Sequence, residues 1–263
     1  MTKVAASDFD GTLFQGGDVP AEELEAINTW RRQGQKFGLA TGRDLNMILP
    51  ELRVFDVPFD FLVVSSGAAL YDRDLNLLHA ETVSPDAAQD VLDHPAGRRS
   101  HYFALSRDDK TYIDIFSQGP AWLDNINHNL QPFNTSLGIA MNGIQQISLE
   151  YPDAAEARRC LDELRGDFGG YLDAHLAGGV CIQITQSGVD KASGLARLCE
   201  LKGWPSDDVL VAGDSDNDLV MFQRFRGYAM NNSPKVLKDL AFRVVASPAV
   251  MLMDELRQLG STF

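Results

Sequence analysis

The stretch Val4-Ala5-Ala6-Ser7-Asp8-Phe9-Asp10-Gly11-Thr12 restricts this chain more than any other. A short apolar run ends in two carboxylates one residue apart, followed at once by Gly-Thr. Read as a strand, the run delivers Asp8 and Asp10 to its C-terminal edge, where open α/β sheets carry their ligand sites. Strand alternation points both carboxylates the same way, and Gly11 invites a turn straight after them. Two carboxylates held that close without a cation repel each other, and one is driven toward its protonated form. The pair therefore asks for a metal, a shared proton, or both, which is the setting of phosphoryl transfer through an aspartate. A chain with 37 acidic residues also contains such pairs by chance, so the pair alone is compatible with a solvated strand end.

Three further segments change that balance. Phe37 to Ala40 is a second short apolar run, ending in Thr41-Gly42-Arg43. Lys191 opens an apolar-periodic helix after Gly188-Val189-Asp190. Val209-Leu210-Val211-Ala212 is a third strand, running into the acidic turn Gly213-Asp214-Ser215-Asp216-Asn217-Asp218. In that order these segments resemble the four motifs of the haloacid dehalogenase (HAD) superfamily, and the chain is similar to its Cof-type phosphatases, which carry a type IIB cap between the second and third motifs. The resemblance covers nearly the whole chain, from residue 8 to Asn232. It implies a Rossmann-like parallel-sheet α/β core with an inserted α+β cap domain.

Composition removes competitors. A formal charge of -14 argues against nucleic acid or a membrane surface as partner, because phosphate-backbone binding needs a basic face. A small phosphorylated metabolite remains possible for an acidic protein if a cation and a few Lys or Arg supply local positive charge. The N-terminus reads as free of a signal-peptide apolar region, and no apolar run has membrane-spanning length. Cys160, Cys181 and Cys199 show no Cys-x-x-Cys spacing, which predicts reduced thiols in a cytoplasmic protein rather than disulfides or a zinc site.

Along the chain, a helix is expected from Pro20 to Arg32 on the spacing of Leu24, Ile27 and Trp30, with Gly34 as its stop. Phe61 to Ser65 reads as a strand, and Ala69 to Val83 as a hairpin turning near Asp72-Arg73-Asp74. From about Ser84 the pattern changes. A helix over Pro85–Asp93 precedes strands at His101–Leu105 and Thr111–Phe116, then a helix near Trp122–Leu130 and a strand at Gln145–Glu150. A helix over Ala154–Arg165 and strands at Tyr171–His175 and Val180–Thr185 complete the module. The expected division is a core of residues 1–83 and 187–263, with residues 84–186 inserted between them. Both crossings are short and polar or bear Gly or Pro, as hinges tend to be.

Chemistry assigns Asp8 as the nucleophile, which forms an aspartyl-phosphate that water hydrolyses. Asp10 is the general acid and base, a role worth about 10²–10⁴ in rate. Attack brings an anion to an anion, so the site must neutralise charge. Mg²⁺ suits that task, held by the carboxylates of Asp8 and Asp214 and the backbone carbonyl of Asp10; the family assigns these ligands in the same way. By resemblance, Thr41, Gly42 and Lys191 form the phosphate clamp. Arg43 and Asn217 are candidate substrate contacts, Asp218 would orient the metal's ligands from behind, and Asp216 would face solvent. The expected activity is an Mg²⁺-dependent phosphomonoesterase acting on a small metabolite, with sugar phosphates the leading class. A phosphosugar mutase or phosphotransferase would use the same Asp8, and a receiver-like phospho-switch also combines paired acids with Thr and Lys. Two departures from the family pattern stand near the site. Ser66-Gly67-Ala68 replaces Asn-Gly-Ala, and Asn231 replaces a glycine in Met230-Asn231-Asn232-Ser233.

Overall fold

A computed structural model describes residues 2–108, 110–115, 130–132 and 141–260 of the chain. The first stretch runs β1 (Val4–Ser7), α1 (Ala21–Arg32), β2 (Lys36–Ala40), α2 (Leu45–Val54), β3 (Phe61–Val64), β4 (Ala69–Asp72) and β5 (Leu77–Ala80). The middle carries α3 (Pro85–Asp93), α4 (Pro95–Arg98), β6 (Tyr102–Ser106), β7 (Thr111–Ile115), β8 (Leu130–Pro132), β9 (Gln146–Glu150), α5 (Ala154–Phe168), β10 (Leu172–Ala177) and β11 (Cys181–Gln186). The chain ends with α6 (Lys191–Lys202), β12 (Val209–Gly213), α7 (Leu219–Arg224), β13 (Arg226–Met230), α8 (Lys235–Leu240), β14 (Arg243–Val245) and α9 (Pro248–Gly260).

The first and last stretches share one eight-stranded sheet, ordered β14-β13-β12-β1-β2-β3-β4-β5. Six strands from β14 to β3 are parallel, and β4 and β5 add an antiparallel edge. Parallel strands buried on both faces read as continuous apolar runs, as β1, β3 and β12 do. Alternation divides them between two cores. Ala5, Phe37, Leu39, Leu210 and Ala212 pack with Ile27, Trp30, Ile48 and Leu252 from α1, α2 and α9. Val4, Ala6, Val209 and Val211 pack on the opposite face with Leu195, Leu198, Met221 and Leu237 from α6, α7 and α8. The chain leaves β1 toward β2 on one side and returns through β12 on the other. That reversal leaves a crevice at the carboxyl end of β1, where doubly wound sheets bind ligands.

The expected elements are present, with boundaries displaced by one to three residues. Helix α1 follows Pro20, with Glu22 and Glu23 in its first turn and Arg31 and Arg32 in its last, the polarity the helix dipole favours. The predicted Trp122–Leu130 helix lies outside the described residues except for Leu130, which opens β8.

The inserted module builds its own six-stranded sheet, ordered β10-β11-β9-β6-β7-β8 and antiparallel except between β7 and β8. One face is covered by α3 and α5 through Val91, Leu92, Cys160, Leu161 and Leu164, which pack on Phe103, Leu105, Ile147, Leu149, Ile182 and Ile184. The other face lies over the crevice. Its firmest contact with the main sheet is a buried carboxylate. Asp44 caps α2 by accepting from the Met47 N–H at 2.9 Å, and its second oxygen accepts from Ser106 Oγ at 2.6 Å and Thr111 Oγ1 at 2.7 Å. Burial raises the Asp44 carboxyl above its ordinary range even with those donors in place. Asp44→Ala is expected to lose an N-cap worth about 1 kcal/mol and to orphan two buried hydroxyls, adding about 1–3 kcal/mol. Asp44→Asn, which keeps an acceptor, should lose much less. Chemical denaturation of the two variants measures the difference.

Candidate active site

Each part of the crevice is placed by a local feature of the sequence. The end of β1 presents Asp8, which is 4% exposed, while the Asp10 side chain is half exposed at the rim. Gly11 then turns at φ +81°, and a Cβ there would collide with the Asp214 carboxylate, so the turn can lie against Asp214 only as glycine. At the end of β2, Thr41 is buried and its Oγ1 accepts the Arg43 N–H at 3.2 Å. Asp44, not Thr41, caps α2.

Lys191 is the first residue of α6, behind a capping box formed by Asp190 and Ser193. That helix start lies directly on the turn after β3. A Cβ on Gly67 would strike the Asp190 carbonyl, and one on Gly194 would strike Gly67. The two glycines bring Lys191 inward until it is 2% exposed, far from the solvated first-turn lysine that its sequence position alone would suggest. Its Nζ donates to Asp8 Oδ1 at 2.8 Å and to Asp218 Oδ1 at 2.8 Å, with Asn217 Oδ1 at 3.4 Å.

The acidic turn after β12 is internally braced. Asp218 is fully buried, and its Oδ2 accepts the backbone N–H groups of Asp214 and Ser215 at 3.0 and 3.1 Å. Ser215 Oγ donates to Asn217 Oδ1 at 2.6 Å, so that oxygen already serves the turn. Asp216 is exposed. Asp214 is aimed by two residues: Thr12 Oγ1 donates to its Oδ1 at 2.8 Å and Asn232 Nδ2 to its Oδ2 at 2.9 Å. Neither Thr12 nor Asn232 is among the candidate residues named from the sequence. Their signal was present, since Thr12 closes the first motif and Asn232 is the residue kept where its neighbour departs from the family pattern.

Oxygen atoms of Asp8, Asp214 and Asp218 lie within 4.8 Å of one another. Burial pushes the Asp8 carboxyl up, to about 8, and Asp218 adds to the rise while Lys191 opposes it. Asp214 is raised as well, chiefly by burial. Burial pulls Lys191 down, but Asp218 and Asp8 more than offset it and hold the ammonium above its usual range. One buried ammonium thus faces three carboxylates and offsets only part of the rise that burial imposes on Asp8. An all-oxygen donor set short of positive charge fits a hard divalent cation. Asp218 accepts Lys191 at Oδ1 and two backbone N–H groups at Oδ2, whereas Asp214 accepts one side-chain donor at each oxygen and Asp8 accepts Lys191 at Oδ1.

Arg43 and Gly42 occupy positions that their motif alone did not reveal. The Arg43 guanidinium grips the Asp10 carboxylate through Nε at 2.8 Å and Nη2 at 2.6 Å, is anchored by Glu51 at 2.5 Å, and lies over the Phe9 ring. Gly42 meets the insertion: Gln183 Nε2 donates to its carbonyl at 2.9 Å, and a Cβ on Gly42 would overlap the Gln183 amide. Ser65 and Ser66 follow β3 with φ of 51° and 53°, strained values for non-glycine residues that recur where structures hold functional groups in place. That conformation lifts Ser66 Oγ to donate to Gln183 Oε1 at 2.9 Å and accept from Gln146 Nε2 at 3.0 Å. The departure from Asn-Gly-Ala therefore sits at the contact between the two sheets. Beside it, a cavity of about 80 Å³ lies between Arg43 and Met47 on one side and Tyr102, Ile113, Gln146 and Cys181 on the other.

Comparison with known proteins identifies the family. The family model for haloacid dehalogenase-like hydrolases matches residues 5–249. A Bacillus subtilis 5-amino-6-(5-phospho-D-ribitylamino)uracil phosphatase, YitU, is 37% identical over 253 residues, covering 92% of this chain and 91% of its own. The Escherichia coli pyridoxal phosphate phosphatase YbhA is 25% identical, covering 93% of each chain. Among solved structures, a haloacid dehalogenase-like hydrolase from B. subtilis superposes with a TM-score of 0.81 at 20% identity, over 96% of this chain and 99% of that one. The match to the family over nearly the full length, with phosphatases among its relatives, places this chain in the haloacid dehalogenase-like hydrolases, as a phosphatase of the Cof type.

Proposed function

We propose that the protein is an Mg²⁺-dependent phosphomonoesterase of the cytoplasm that hydrolyses a small phosphorylated metabolite through an aspartyl-phosphate on Asp8. The observation that carries this reading is the cluster of buried Asp8, Lys191 and Asp218 with half-buried Asp214, which holds a nucleophile in a pocket deficient in positive charge. Asp8, Asp214 and the Asp10 carbonyl would hold the cation, with Asp218 fixing the turn behind them. Bound there, Mg²⁺ would neutralise charge between the carboxylate and the incoming phosphoryl oxygens.

The remaining steps belong to the chain's own groups. Thr41, Gly42 and Lys191 bind and orient the phosphoryl group. The Asp8 carboxylate attacks phosphorus as the bond to the leaving oxygen breaks, and Asp10 delivers a proton to that oxygen. Asp10 then takes a proton from the water that cleaves the acyl phosphate. Arg43, anchored on Glu51, holds Asp10 at the rim as a carboxylate, and Asp10 has to leave that grip and take up a proton from solvent before it can serve as the acid. Residues 84–186 act as the cap over a core of 1–83 and 187–263, excluding bulk water while the acyl phosphate exists.

Sugar and sugar-alcohol phosphates lead the substrate classes. The 37% identical relative is named for a substrate whose phosphate sits on a ribityl chain, and YbhA for a phosphorylated pyridine. Phosphate release should be measured across sugar, sugar-alcohol, pyridoxal and nucleotide monoesters, with Mg²⁺ and with EDTA. Turnover is expected with Mg²⁺ and should vanish with EDTA. Transfer of the phosphoryl group to a second hydroxyl in place of release would make the enzyme a phosphotransferase, and metal-independent turnover would refute the cation's role.

A further inference from the structure

Strand β10 carries a group that the phosphoryl chemistry leaves unused. Leu172 and Ala174 pack into the cap core beside α5, so Asp173 and His175 face the opposite way. His175 pairs in register with Gln183, the residue that reaches Gly42 and Ser66 on the main sheet. Strand β10 also lies against residues 216–218, and Asp190, directly before Lys191, is near enough to act on the imidazole. His175 therefore stands on the face of its sheet that Gln183 shares, with Asp190 at the start of α6 near it.

Its Nε2 is buried and makes no hydrogen bond with any described residue. Buried polar atoms rarely lack a partner, because desolvation without a replacement bond is unfavourable. The neighbours are already engaged. Asp173 accepts from the Gly188 N–H at 2.7 Å, Arg165 donates to the Ala174 carbonyl at 2.9 Å, and the Gln183 amide is spent on Gly42 and Ser66. The Asn217 oxygen serves Ser215 and Lys191. Nε2 is thus open to a partner from a bound ligand.

We propose, on the basis of the phosphatase reading, that His175 is a specificity-determining residue whose Nε2 hydrogen-bonds a hydroxyl or ring nitrogen on the leaving group of the bound phosphomonoester. The substrate class is a phosphomonoester whose leaving group carries a further hydroxyl or ring nitrogen.

The test compares wild type, His175→Leu and His175→Gln on the preferred ester of the metabolite panel and on phenyl phosphate, whose leaving group bears no further hydrogen-bonding atom. In His175→Leu the ratio of kcat/KM for the metabolite ester to that for phenyl phosphate should fall at least tenfold, mainly through KM. His175→Gln, whose amide nitrogen can stand near the position of Nε2, should restore much of the ratio. Equal losses on both esters in His175→Leu would make His175 structural and overturn the proposal while leaving the phosphatase intact. An unchanged ratio would overturn it as well. Absence of phosphate release by wild type from every ester would bring down the phosphatase reading and this inference with it.

Discussion

Asp8→Asn is expected to lower kcat for phosphate release by about 10⁴–10⁶-fold, the scale on which loss of a covalent nucleophile is felt, while leaving the fold intact. Asparagine matches the shape of the side chain and keeps an oxygen to accept from Lys191 at the position Asp8 Oδ1 now holds. It cannot form the acyl phosphate. The electrostatic consequence separates this variant from a merely damaged protein. Asp8 in the metal-free fold has its pKa raised from 3.8 to about 8. Between those values the folded state binds more protons than the unfolded state, so Asp8 makes the metal-free protein less stable as pH rises through that window. Asparagine removes the titration. In EDTA, Asp8→Asn should therefore gain stability relative to wild type as pH is raised from 5 to 8. Added Mg²⁺ should reverse the ranking, because a ligand bound to the native state stabilises the protein in proportion to its affinity and the variant has lost a carboxylate ligand. Thermal melts across that pH range, with and without Mg²⁺, check both signs. An inactive Asp8→Asn protein with no pH-dependent gain would mean that Asp8 is not the strained charge of the cluster.

The fold was more legible in the sequence than the contacts that operate it. Buried parallel strands announce themselves as unbroken apolar runs, and Val4–Ser7, Phe61–Val64 and Val209–Gly213 fell within a residue or so of their expected positions. The residues at strand ends were legible because doubly wound topology gathers those ends: Asp8, Thr41 and Asp214 had to meet if the three strands were neighbours. What a linear pattern cannot carry is pairing across the crevice. The grip of Arg43 on Asp10 depends on how α2 leaves the end of β2, and Gly42 proved to be the seat of Gln183, 141 residues away. His175 was hidden for a related reason. Histidines scattered without ligand spacing look alike in sequence, and only the register of β10 with β11 sets His175 opposite Gln183. Asp44 read as one acid among 37, yet it joins the two sheets because its helix cap is buried beneath two hydroxyls.

Lys191→Met should show how far the site depends on its single buried ammonium. The substitution keeps much of the volume of the side chain and removes only the charge that separates Asp8 from Asp218. Breaking a buried ion pair by deleting one partner costs about 3–5 kcal/mol, because the remaining charge is left unmatched, and here two carboxylates are left facing each other. Their repulsion falls when one takes up a proton, and Asp8 loses the influence of Lys191 that lowers its pKa. The deficit should be largest at pH 8 and shrink as pH falls toward the carboxylate range. Phosphate binding should weaken in parallel, with kcat/KM down by about 10²–10³-fold, as when one preorganised positive group is removed from a transition state that gathers negative charge. Saturating Mg²⁺ should return part of the stability, since a cation shared by Asp8 and Asp214 relieves the same excess charge, but little of the activity, which needs a donor on the phosphoryl oxygens. Denaturation midpoints at pH 5 and pH 8, each with and without Mg²⁺, give the four values required. A deficit independent of both pH and metal would assign Lys191 to packing and leave the charge balance of the site to other groups.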